Sequence, residues 1–205
     1  MAILSDKNLI DAIEKKIISI EPLDANNIQP GSIDLTLHNI IEVFSPPGKW
    51  DVGAISKEQL RSYTQEIDIS DGYDLEPGAF VTGYSAEKIK LSSFVTGRIF
   101  NRNSIVKCGI NAALSAFITP GFFGRKVIVI HNFGNVPVTI RSGIRICQLE
   151  ISELGQGAIR KFDDRHDLSK FNNDIFPENR MYQYTPSDTS LSDFLNECIK
   201  SAARR

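Results

Sequence analysis

From Phe80 to Ile151 the chain breaks into short β-prone runs separated by turns, and this rhythm constrains the fold more than any other feature. The runs are Phe80 to Tyr84, Phe94 to Ile99, Lys126 to His131, Val136 to Ile140 and Ile144 to Ile151, with Gly, Pro and Asn between them. β-Branched and aromatic residues suit a pleated, half-buried surface, and many short strands with frequent turns pack as a barrel or a jelly-roll-like sandwich. The predicted fold class is therefore mainly β. Upstream, Gln29-Pro30-Gly31-Ser32 breaks the chain before Ile33-Asp34-Leu35-Thr36-Leu37, whose alternation predicts one more half-buried strand with Asp34 directed away from Leu35.

Two helices frame the strands. Ser5-Asp6 offers a capping side chain and an early acid ahead of Leu9, Ile10, Ile13 and Ile17, predicting a helix over about residues 6 to 16, with Pro22 beyond it. Leu191, Phe194, Leu195 and Ile199 return at helical spacing before Arg204-Arg205, predicting a short amphipathic helix that packs on the same or a neighbouring subunit. The Ser45-Pro46-Pro47-Gly48 to Tyr63 region reads as an insertion over the β surface. Lys161 to Asp167 is a polar segment whose charges suit a solvated loop. There is no internal repeat or low-complexity tract.

A chain of 205 residues can bury one substantial core without a disulfide or a metal. One domain over 1–205 is expected, with a core at about 1–154 and an extension at 155–205. Its 23 basic and 25 acidic residues leave a formal charge of −2, which provides no general attraction to polymeric nucleic acid or anionic membrane. The N-terminus lacks a long apolar stretch and no later run is long enough to span a bilayer. Cys108, Cys147 and Cys198 are odd in number and widely spaced, which argues against a disulfide framework or a cysteine zinc site and favours a reducing cytoplasm. The H-x-E and P-C-x-x-C spacing of zinc deaminases is absent around His38, His131 and His166, so no protein-held metal is expected.

Three stretches carry chemistry when taken together. The first is Ile28-Gln29-Pro30-Gly31-Ser32-Ile33-Asp34-Leu35-Thr36-Leu37, preceded by Leu4-Ser5-Asp6 and Ile18-Ser19-Ile20-Glu21-Pro22. The second is Asn101-Arg102-Asn103-Ser104-Ile105-Val106-Lys107-Cys108-Gly109 followed by Ile118-Thr119-Pro120-Gly121-Phe122-Phe123-Gly124. The third is Ile140-Arg141-Ser142-Gly143-Ile144-Arg145-Ile146-Cys147-Gln148-Leu149. From about Leu4 to Leu154 the chain resembles the dCTP deaminase family of the dCTP deaminase/dUTPase superfamily, with weaker similarity at Lys170-Phe171.

The resemblance implies a distorted jelly-roll of the dUTPase-like type, a homotrimer, and sites between subunits for a pyrimidine deoxynucleoside triphosphate with Mg2+. It implies a hydrolase of nucleotide metabolism that deaminates dCTP to dUTP. By the same resemblance Arg102 and Ser104 fall where the family binds phosphate, and a guanidinium with its planar paired donors suits phosphate oxygens. Asn103 falls on a serine that positions water, Lys107 on an arginine, and Lys170 where the family closes over the triphosphate. Lysine keeps the charge and loses the bidentate fork.

Two positions depart in a way that bears on catalysis. Val129 occupies the strand position of the family's proton-transferring glutamate, and Thr119 that of an aspartate that meets the sugar and supports water activation. Neither replacement is a base. His131, two residues beyond Val129, shares its strand face and carries an imidazole able to take and release a proton, so it is the candidate substitute, with a structural histidine as the competing reading. Three functions stay open: a dCTP deaminase, a non-catalytic nucleotide-binding or regulatory paralogue, and an enzyme of altered chemistry on the same fold.

Overall fold

A computed structural model describes residues 2–46, 48–49, 57–159, 196 and 200. The chain opens with α1 (Asp6–Glu14), β1 (Ile18–Glu21), a single 3-10 turn at Ala25–Asn27, β2 (Ile28–Gln29), β3 (Ser32–Thr36) and β4 (Ile40–Phe44). It continues through α2 (Lys57–Ser62), β5 (Thr64–Asp68), β6 (Tyr73–Leu75), β7 (Phe80–Leu91), β8 (Val95–Asn101), α3 (Asn103–Val106) and β9 (Ile110–Asn111). The last described strands are β10 (Phe117–Ile118), β11 (Phe123–Asn132), β12 (Val138–Ile140) and β13 (Arg145–Glu153).

Helix α1 starts where the capping pattern places it: Ser5 Oγ accepts a hydrogen bond from Asn8 N at 3.4 Å, and Asp6 lies in the first turn. It ends two residues before the predicted boundary because Lys16 takes a left-handed φ of 56°, after which Ile17 N closes on Ala12 O at 2.9 Å. Leu9 and Ala12 are buried, whereas Ile10 is 44% exposed and does not join the core face.

Two antiparallel sheets pack face to face. One runs β5-β4-β7-β11-β9 with β1 also paired to β7, and the other runs β10-β8-β13-β3-β2; β12 and β6 form a small ribbon. Ile41, Val81, Ile89, Ile128 and Ile130 project inward from the first sheet, meeting Ile33, Leu35, Ile99, Leu149 and Ile151 from the second. The layers close tightly at Gly83 and Gly97: a Cβ on Gly83 would lie 2.8 Å from Leu37 Cδ1, and one on Gly97 would lie 2.9 Å from Leu149 Cδ1. This is the mainly β, jelly-roll architecture expected from the strand rhythm.

Strand β7 is twelve residues long, and the predicted Phe80 to Tyr84 run covers only its start because two of the inward positions beyond it are polar. Ser85 and Glu87 are 0% and 4% exposed, which hides the period-two pattern from a hydrophobic count. Both are satisfied internally. Ser85 Oγ donates to Glu87 O and accepts from Lys126 N, while the Glu87 carboxylate accepts from Thr36 N and, at 2.7 Å, from Thr36 Oγ1.

The predicted insertion leaves the sheet between β4 and β5, where Ser45 N donates to Tyr63 O at 2.9 Å and pins its base. The polar Lys161 to Asp167 segment, Lys170-Phe171, and the residues Leu191, Phe194, Leu195 and Ile199 lie outside the described residues. Asn196 and Lys200 are helical and exposed.

Candidate functional site

The arginine-bearing turn is organised by one buried carboxylate. Asp34, on β3, is 1% exposed. Its Oδ1 lies 3.2 Å from Arg102 Nε, its Oδ2 is 3.3 Å from Arg145 NH1, and Gln148 Nε2 donates to Oδ1 at 3.3 Å. Arg102 NH1 also donates to Arg145 O at 3.2 Å. A guanidinium has five N–H donors, so these contacts aim Arg102 and leave donors free for an outside acceptor. Two arginines around one aspartate also leave the cluster net positive, which suits an anion.

Local backbone structure carries this arginine to the edge of the sheet. Asn101 closes β8, its Oδ1 accepting from Ala112 N at 2.7 Å and its Nδ2 donating to Asn111 Oδ1 at 3.1 Å. Arg102 then has extended φ/ψ as the residue before α3, and its carbonyl accepts from Ile105 N and Val106 N. The single turn of α3 holds Asn103 and Ser104 exposed at its start and Lys107 exposed at its end. Gly109, at φ 80°, reverses the chain into β9, and a Cβ there would sit 2.9 Å from Gly134 Cα.

The second part of the site is the half-exposed side of β11. Val127, Val129 and His131 project to that side, while Lys126, Ile128, Ile130 and Asn132 are buried. His131 therefore shares the face of Val129, as predicted, and it pairs with Phe80 on β7 and Asn111 on β9. Because Asn101 grips Asn111, the arginine turn and the His131 end of β11 are mechanically joined through β9 within one chain.

Thr119 is half-buried in the turn between β10 and β11, where Phe122 N donates to Thr119 O at 3.1 Å and Gly121 has a φ of 78°. Beneath the approach to that turn, the buried Lys126 donates from Nζ to Ser115 Oγ and to Phe117 O, each at 3.1 Å. Burial pushes its amine down to about 8. Lys170 lies outside the described residues.

Sequence reasoning did not assign Arg145, Gln148 or Lys126 to the site. Arg145 and Gln148 were visible as polar residues in an otherwise apolar run, but their convergence on Asp34 depends on β13 lying beside β3. Lys126 offered only the signal of a cation at a buried strand position.

These features define a class: a two-layered antiparallel jelly roll with an oriented arginine turn at the sheet edge and, beside it, a half-exposed strand face carrying Val127, Val129 and His131. The chain belongs to the dCTP deaminase-like family, whose model matches residues 3–154. It is 33% identical over 175 residues to a dUMP-forming dCTP deaminase of Methanothermobacter thermautotrophicus, covering 83% of this chain and 89% of the relative. It is 30% identical over 182 residues to the dUMP-forming dCTP deaminase of Methanobrevibacter smithii, covering 87% of this chain and 94% of that one. Among solved structures, 2'-deoxycytidine 5'-triphosphate deaminase from Agrobacterium tumefaciens shares the fold with a TM-score of 0.59 at 23% identity. That likeness covers 74% of this chain and 48% of the other, about half its length.

Proposed function

We propose that this protein binds a pyrimidine deoxynucleoside triphosphate, with dCTP as the favoured ligand, and that Arg102, Ser104 and Lys107 receive its phosphates. The single observation carrying this reading is the fixation of Arg102 by buried Asp34, with Arg145 beside it. Such an arrangement holds a cation ready for an anion without the entropy cost of ordering a free side chain. Family membership supplies the pyrimidine deoxynucleotide as the anion. Thr119 stands at the sugar side, and Lys170 adds a further phosphate contact.

No cluster of three or more His, Cys, Asp or Glu side chains is placed to hold a metal among the described residues. By likeness to the family Mg2+ enters with the triphosphate, and the chain's own part is to hold the phosphate oxygens. Residues 1–205 act as one domain with a core at about 1–154. The working assembly is a homotrimer with sites between subunits. No described helix is long and apolar enough to cross a membrane, and the cysteine usage supports a cytoplasmic setting.

The reaction assigned is hydrolytic deamination of dCTP, run slowly. Val129 and Thr119 remove two carboxylates, and Asn103, Lys107 and His131 are the polar groups left in those parts of the site. A second reading, a nucleotide-binding paralogue that has lost turnover, is favoured by the same Val129 and Thr119. A third, altered chemistry through a replacement acid or base, is favoured by His131 sharing the Val129 face.

Thermal stabilisation by a nucleotide panel with Mg2+ tests the binding, since a ligand at 100 times its Kd raises stability by about 2.7 kcal/mol. The expected result is selective stabilisation by dCTP or a close pyrimidine relative. Equal, negligible shifts with every nucleotide would discard the reading. Release of ammonia and of pyrophosphate, followed in parallel, separates the deaminase from the silent paralogue.

A further inference from the structure

Glu42 lies on β4, with its side chain on the same sheet face as Val129. The register sets Glu66 opposite Glu42, Glu42 opposite Thr82, and Thr82 opposite Val129. Directly paired residues of antiparallel strands project to one side, so this single row carries all four side chains across β5, β4, β7 and β11. Tyr84 is two residues along β7 from Thr82 and stands on the same side. Glu42 and Val129 are two strand spacings apart, about 9.5 Å between their Cα atoms. That gap is within the span of a glutamate side chain and one bridging water.

Glu42 is 1% exposed. Its Oε1 accepts a hydrogen bond from the Tyr84 hydroxyl at 2.8 Å, while its Oε2 is buried without a partner. An unpaired buried carboxylate oxygen is costly, and the cost falls when a proton or a donor completes it. Burial pushes the carboxyl up to about 7, the Tyr84 bond pulls it down, and the facing Glu66 charge pushes it up again. Both protonation states are thus populated near neutral pH, the condition under which one group can take a proton and return it.

We propose that Glu42 is the proton carrier for hydrolytic chemistry on this sheet face, in place of the carboxylate that Val129 does not supply. The proposal rests on the pyrimidine-nucleotide reading above. As a water oxygen bonds to the ring carbon bearing the amino group, the water proton passes to Glu42 through an intervening water. Glu42 then returns a proton to the amino nitrogen as the carbon–nitrogen bond breaks. Water and aminopyrimidine become oxopyrimidine and ammonia, with atoms and charge conserved and no oxidant needed. Tyr84 is the positioning residue that holds the carboxylate. Among the described residues, Glu66 and Asp68 on β5 and His131 on β11 also face this row.

The experiment measures ammonia release from dCTP with Mg2+ between pH 5 and 9, alongside calorimetric dCTP affinity. Wild-type turnover should rise with pH through an inflection near 7, because the accepting form is the ionised carboxylate. Glu42→Gln should lower turnover by about a hundredfold with affinity unchanged. Tyr84→Phe should move the inflection upward, since it removes the bond that favours ionisation; this shift also serves if Glu42→Gln fails to fold. Adding Val129→Glu to Glu42→Gln should restore turnover.

Wild-type turnover in Glu42→Gln, an inflection unmoved by Tyr84→Phe, or binding of dCTP with no ammonia released would each overturn the inference alone. Failure to bind any pyrimidine nucleotide would overturn the proposed function, and the inference with it.

Discussion

Asp34 shows how a single buried carboxylate can do work that its own side chain never does directly. It aligns Arg102, in the turn after β8, and Arg145, on β13, so replacing Arg102 leaves Asp34 paired with Arg145. Arg102→Ala should weaken triphosphate binding by about 1.5–3 kcal/mol in calorimetry, the range for hydrogen bonds to charged groups. Unchanged affinity would assign this arginine to structure.

Two other buried ionisable groups set a pH dependence with a definite sign. Glu42 titrates near 7 when folded against a usual 4.5, so the folded state holds a proton that the unfolded chain gives up, and stability falls as pH rises across that window. Lys126 titrates near 8 against a usual 10.5; here the unfolded chain holds the extra proton, and stability climbs again above about 8. Urea midpoints should trace both limbs, and Glu42→Gln should flatten only the acidic one. A Glu42→Gln profile parallel to wild type between pH 4.5 and 7 would show that the carboxyl is not perturbed by folding.

At the scale of elements, the turn from α3 into β9 is the joint between the arginine turn and the β11 face. Gly109 needs its positive φ, and its Cα side is closed by the Gly134 backbone, which cannot move aside as a side chain would. Gly109→Ala should cost about 1–3 kcal/mol of stability, the scale of a strained backbone position, and should weaken nucleotide binding as well. Wild-type stability in denaturant would show that the turn relaxes freely. Strand rhythm and turn residues revealed six of the thirteen described strands, β3, β7, β8, β11, β12 and β13, and β7 exceeded its predicted length. Its inward Ser85 and Glu87 interrupt the apolar alternation that marks a half-buried strand, and hydrogen bonds satisfy both of them there. Helix α1 began at the capping residues, and its end depended on a left-handed lysine that propensity does not anticipate.

For the whole molecule, the assembly prediction is a trimer, reported by light scattering as about three chains per particle. A monodisperse monomer at micromolar concentration would remove the inter-subunit site. Turnover should be at least about a hundredfold below active relatives, because Glu42 reaches the reacting carbon only through a bridging water and Thr119 supplies no carboxylate. Rates of ammonia or pyrophosphate release equal to those relatives would show that Val129 and Thr119 carry no such penalty. Activity that vanished in His131→Ala while binding survived would instead favour His131 as the proton carrier over Glu42.

Local sequence determined the β class, the N-terminal cap of α1, and the shared face of Val129 and His131, because periodicity and capping act over a few residues. The resemblance in Arg102, Ser104 and the flanking stretches also made the family legible. Tertiary structure alone decided that Asp34 meets Arg102 and Arg145, since those contacts span 68 and 111 positions of sequence. It also decided that Glu42 stands in the row of Val129, a placement set by strand order and register. A carboxylate on one strand says nothing about which strands will lie beside it; the packing of two sheets around a common core settles that.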